Sequence, residues 1–293
     1  MLWSSVMTSV VSHLMFDNRS LTVAAQNRRF RAARISKRYV GHHTRAIAMA
    51  VLFASAATAQ WLNYPTAGIP RTPDGKPDLS APAPKTADGK PDISGLWRPT
   101  GGYVANIAKD LGPDGVPFQP WAEALFKQRQ ATNSKDDPTG WCVPGGTPRS
   151  DLVGYPFKIL QAPGMVVILY EAVHTFRQIF TDGRELPANP NPTWMGYSIG
   201  HWEGDTLVVE TTGFNDRGWL DNGGRPSTDA LRVTERIRRR DFGNAEIRIT
   251  IDDSKAYTKP WTMTLPLAFE PDTELLEYIC GENNKDIPHL VGN

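Results

Sequence analysis

The chain has 293 residues, 40% of them hydrophobic and 22% charged, with a formal net charge of +1. That length supports one or two domains with a sizeable core. A near-neutral balance lacks the basic footprint that DNA or RNA binding requires, so nucleic acid is not an expected partner.

In chain order, the first 44 residues are Arg-rich and of low order. A segment laid out like a secretory signal follows at about 45–59, with Arg45 as its basic flank. An apolar stretch from Ala46 to Ala57 comes next, and Ala57-Thr58-Ala59 stands before Gln60. Its apolar core, about a dozen residues, is shorter than the roughly 20 needed to span a bilayer, so no stable membrane span remains after cleavage. A start at Val40 makes this a compact signal, and a periplasmic or secreted location is expected. Cleavage after Ala59 removes eight of the 32 Lys/Arg and one of the 31 Asp/Glu, leaving 24 basic against 30 acidic residues and a net charge of −6. Both cysteines, Cys142 and Cys280, lie in the exported part, where an even pair suggests one disulfide.

Residues 60–96 carry a tandem repeat, RTPDGKPDLS and KTADGKPDIS, which reads as an extended tether or surface strap. The remainder, 97–293, is expected to form one β domain with a single N-terminal helix at about 120–130. There Pro120 suits a first helical turn, and Trp121, Ala124, Leu125 and Phe126 give an apolar side. From Tyr155 the hydrophobic period is two. The segments YPFKILQ, MVVILYE, HTFRQIF, WMGYSIGHW, TLVVETT, LRVTERIRRR, AEIRITI, WTMTLPLAF and ELLEYIC give about nine short strands. Turn signals and hairpin links without helical crossovers point to an all-β fold, an antiparallel up-and-down barrel of calycin or lipocalin type, with a β-sandwich as the alternative.

Polar residues on strand faces that otherwise read apolar are the candidate site. In HTFRQIF the alternate set is His174, Phe176, Gln178 and Phe180. In TLVVETT, Glu210 shares a face with Val208, and in LRVTERIRRR, Glu235 lies among Leu231, Val233 and Ile237. Glu277 sits between Leu275 and Ile279. A carboxylate among aliphatics must be paired or protonated, and Arg177 or Lys158 is a candidate partner for Glu235. A barrel interior would gather such groups from distant strands. His174 with Glu210 or Glu235 is then a candidate acid–base pair, while Arg177, Gln178 and Glu277 line the cavity. A satisfied, inert hydrogen-bond network is the competing expectation. Trp194, Tyr197 and Trp202 are candidate stacking platforms. Residues 212–230 form a long aperiodic loop in which Asn215, Asp216 and Asp221 are candidate lining residues. Residues 236–240, RIRRR, read as a solvated strand face. No P-loop, GxSxG or HExxH occurs, and His174, His201 and His289 have no ligand spacing, so no cofactor or metal is expected.

The strings HTFRQIFTDGR, NPTWMGYS, WEGDTLVVETTGFND, LRVTER, KPWT and DTELLEYIC resemble a family of exported proteins abundant in acidobacteria and soil metagenomes. The resemblance covers nearly all of the exported chain. It implies export and a shared fold, and supplies no reaction. Members often carry Arg at the position of His201, and His within the segment holding Arg225-Pro226-Ser227. His174 and Glu210 match the pattern. Two function classes follow as expectations. One is an exported hydrolase, lyase or isomerase acting on a sugar-derived or aromatic compound. The other is a lipocalin-like protein that binds such a small molecule without turnover.

Overall fold

Nine strands close into a ring in which each pairs with its sequence neighbours: β1 (Gly95–Pro99), β2 (Phe157–Ala162), β3 (Met165–Tyr170), β4 (Phe176–Phe180), β5 (Tyr197–Glu203), β6 (Thr206–Thr212), β7 (Arg232–Arg239), β8 (Asn244–Asp252) and β9 (Trp261–Phe269). The computed structural model describes residues 65–112, 114–172 and 175–281. The leader, the signal segment, His174 and the tail with His289 lie outside the described residues. No described helix is long and apolar enough to cross a membrane.

The all-β barrel expected from the period-two pattern is the fold. Its up-and-down order has one irregularity with a simple cause. A closed ring of nine strands cannot alternate direction throughout, so one pairing must be parallel. It is β4 with β5, at Ile179↔Ser198 and Phe180↔Ile199. Parallel neighbours need a crossover of a dozen or more residues, and residues 181–196 supply it. The other pairings are antiparallel, including β1 with β9. The expected hairpins form where Gly supplies the turn. Gly204 (φ 59°) joins β5 to β6, and Gly164 (φ 73°) joins β2 to β3.

Two element assignments are corrected. Residues 274–280, read as the ninth strand, pair with no strand among the described residues. The ninth strand is β1, which lies across the expected boundary at residue 97. Its Trp97 is fully buried, 5.4 Å from the Phe269 ring. Helix α1 (Pro120–Ala131) is where it was expected, but Ala122 is its buried residue, whereas Trp121 and Ala124 are exposed.

Aliphatic side chains such as Ile159, Ile168, Leu207 and Ile249 fill the barrel. We call the end where β4 begins the upper end. The strap closes the lower one. Each repeat makes a small turn of its own, with bridges Arg71↔Pro77 and Lys85↔Pro91. Ile93 is buried beneath Trp97, whose Nε1 donates to the Ile93 carbonyl. Arg239, expected in a solvated row, points inward instead. It packs over Trp97 and Phe242 and donates to the carbonyls of Asp92 and Phe242. Burial pushes its pKa down to about 10. Arg238 and Arg240 remain exposed. At the upper end the short helix α2 (Arg149–Leu152) has all four residues buried and acts as a plug. Cys142 and Cys280 form the expected disulfide, Cα–Cα 5.7 Å across a sequence separation of 138.

Candidate functional site

Glu235 is fully buried, as its β7 face requires, and the cation it needs comes from β4. Arg177 reaches across the barrel, with Nη1 3.1 Å from Glu235 Oε1 and Nη2 bonded to Oε2. Its Nε donates to Ser198 Oγ at 3.0 Å, and Nη2 also donates to Thr211 Oγ1 at 2.7 Å. Asp151 of α2 enters from above. Its Oδ1 accepts a 2.6 Å hydrogen bond from Tyr170 Oη, and its Oδ2 lies 3.6 Å from Arg177 Nη1. Burial works to lower the Arg177 pKa, but Glu235 and Asp151 outweigh it and hold the guanidinium charged. Burial, followed by Asp151, raises Tyr170 well above the ordinary phenol range.

The remaining expected site residues do not converge on this cluster. On β4 the inward pair is Arg177 and Ile179; Phe176 and Gln178, expected inside, are exposed, and Gln178 touches Met165 Sδ. On β6 the inward set is Leu207, Val209 and Thr211, so Glu210 faces outward, opposite in facing to Glu235 although their strands are paired. Glu277 is exposed in an irregular segment. Lys158 pairs with Glu274 at 2.8 Å rather than with Glu235. Asp221 is buried by structural bonds, accepting from the amide of Ile107 and from Arg225. Tyr197 stacks on Phe180 and accepts from Arg184, and Trp202 lies at the lower rim beside the second repeat. Asp151 and Tyr170 were not legible as site residues. Asp151 lies in a one-turn helix between Pro/Gly segments, where no period reports facing.

Three expected residues do meet, outside the barrel. The β4–β5 crossover and residues 212–230 stand beside each other on the upper rim, joined by the Thr193↔Phe214 bridge. Between them runs a cleft of about 630 Å³ lined by Trp194, Asn215, Asp216 and Arg217. It adjoins a second of about 720 Å³ beneath residues 186–190, sharing Phe214 and Asp229. A third, of about 330 Å³, runs toward α1 and shares Asp216 and Asp229, adding Trp121, Arg129 and Lys255. Burial lowers the Arg129 pKa to about 10; its guanidinium lies 4.1 Å over the Trp219 ring and donates to the Gly224 carbonyl. The loop is thus pinned from behind while its Asn215–Arg217 stretch faces the cleft.

The molecule is therefore a closed β-barrel with a packed, charge-paired interior and an indented upper rim. No protein-family model and no curated protein matches the chain.

Proposed function

We propose that the protein is an exported binding protein that holds a small sugar-derived or aromatic molecule in the rim cleft without chemical turnover. The observation that carries this reading is the meeting of Trp194, Asn215 and Asp216 in one depression while the barrel interior is filled. An indole beside carboxylate and amide groups suits a ring that stacks on one face and offers hydroxyls at its edge. Export is supported by the signal-like segment, by the resemblance to exported proteins, and by a disulfide of the kind that persists in oxidising compartments. Titration calorimetry against a panel of sugars and aromatic acids tests the reading. Saturable binding is expected, with at least about tenfold loss in Trp194→Ala and little change in Trp202→Ala. Equal losses in both, or none, would discard the rim cleft.

An acid–base enzyme is the second reading. What favours it is a single group: the Asp151 carboxyl, raised to about 7 chiefly by burial and then by Glu235, in the range that general acids use; being fully buried, it would meet a substrate only with helix α2 withdrawn. Product formation from any bound compound, abolished in Asp151→Asn, would replace the binding reading with this one.

A further inference from the structure

We infer that Asp151 and Glu235 share one proton, and that this proton locks helix α2 into the upper end of the barrel. The argument starts from hydrogen-bond donors. Arg177 spends Nε on Ser198, Nη2 on Thr211 and Glu235, and Nη1 on Glu235. Its approach to Asp151 Oδ2, at 3.6 Å, is too long for a hydrogen bond. Tyr170 serves Oδ1, which leaves Oδ2 buried without a hydrogen-bond partner among the described residues. A fully ionised cluster therefore strands a carboxylate oxygen in a dry interior and puts two negative charges against one positive.

One added proton removes both faults. Tyr170 donates to Asp151, protonated Asp151 donates to Glu235, and Glu235 accepts from Arg177. The chain is then neutral and Oδ2 is satisfied. The two carboxylates flank one nitrogen, Arg177 Nη1, which lies 3.1 Å from Glu235 Oε1 and 3.6 Å from Asp151 Oδ2, and burial followed by the Glu235 charge lifts the Asp151 carboxyl to about 7, the direction this arrangement requires. Among the described residues, Tyr170 from β3, Arg177 from β4 and Glu235 from β7 are the titratable groups acting on Asp151. Arg149, on the same helix, is engaged elsewhere, with Asp137 and Asn222. Ser198 and Thr211 add only neutral hydroxyls.

Loss of the proton sets Asp151 against Glu235. Glu235 sits in a strand paired on both sides, whereas α2 is a single turn. The plug is the part that yields. The sign follows: a carboxyl raised from its ordinary 3.8 to about 7 contributes stability that is fully present below about pH 4 and is lost as pH rises through about 7. Asp151→Asn supplies a permanently neutral group with an N–H for Glu235.

The test compares thermal melting of the full chain and Asp151→Asn from about pH 5 to about pH 8, with hydrogen exchange of the α2 amides corrected for intrinsic rates. The native chain should lose several degrees relative to the variant across that interval. The Ser150 and Asp151 amides, which bond to Gly146 and Pro148 carbonyls, should lose protection before the β7 amides. Parallel melting curves, or α2 protection independent of pH, overturn the proposal. Should Asp151→Asn fail to fold, carbon-13 titration of the native side-chain carboxyls decides: one group titrating near pH 7 is expected, and none between about pH 5.5 and 8 overturns it.

Discussion

Arg177 and Glu235 stand on strands separated by two others in the ring, so their contact crosses the barrel interior and depends on both being unsolvated. Removing one partner leaves a buried, uncompensated charge, a cost of about 3–5 kcal/mol. Arg177→Met and Glu235→Leu should each lose that much in urea unfolding, while the double variant loses clearly less than the sum. Glu210→Ala and Gln178→Ala, on the outer surface, should stay within about 0.5 kcal/mol of the native chain. The contrast separates two glutamates that look alike in sequence. In TLVVETT, Glu210 shares its alternate set with Val208, and Val208 is itself buried on the outer face, which made the outward set resemble a core face. In LRVTERIRRR the outward set holds three arginines, so the inward facing of Glu235 was legible from the start.

At the scale of elements, the strap and the disulfide act as fasteners at opposite ends. Gly243 donates to the Leu79 carbonyl, and a Cβ placed on it would meet Leu79 Cβ at 2.5 Å and its carbonyl oxygen at 2.8 Å. Backbone that close cannot give way cheaply, so Gly243→Val should lift the strap from the β7–β8 turn. Limited proteolysis should then cut within the DGKPD repeats while the barrel core survives. The Cys142–Cys280 bridge closes a loop of 138 residues, and its reduction should cost about 4–5 kcal/mol on the chain-entropy account. Unfolding with and without reductant measures it. Eight of the nine strands were legible because each is a run of five or more residues rich in β-branched, aliphatic or aromatic side chains between turn signals. β1, GLWRP, was not: it is short, ends in proline and follows a repeat that reads as tether. Residues 274–280 are rich in apolar residues and follow the Pro271-Asp272 turn signal, which reads as a strand, yet Leu276 gives its amide to the Glu171 side chain rather than to a ladder.

For the whole molecule, the number of strands decides where the rim cleft forms. An odd ring demands one parallel joint, the joint demands a long crossover, and the crossover meets residues 212–230 to form the rim cleft. The interior is occupied by aliphatics and by the Arg177 cluster, and the rim cleft is where the ligand we propose would sit. A processed, exported chain should begin at Gln60, and N-terminal sequencing of the secreted protein checks it; an intact Met1 overturns export through this segment. By itself the sequence determined the barrel class, the hairpins, helix α1, the disulfide pair and the inward facing of Glu235. These are written in local periodicity, turn chemistry and the parity of two cysteines. Only the tertiary structure decided that Arg177 and not Lys158 partners Glu235, that Glu210 faces out, that Asp151 joins them, and that Trp194, Asn215 and Asp216 share a cleft. Those outcomes rest on which residues a closed ring and its plug bring together across long stretches of chain, and local pattern carries no record of that.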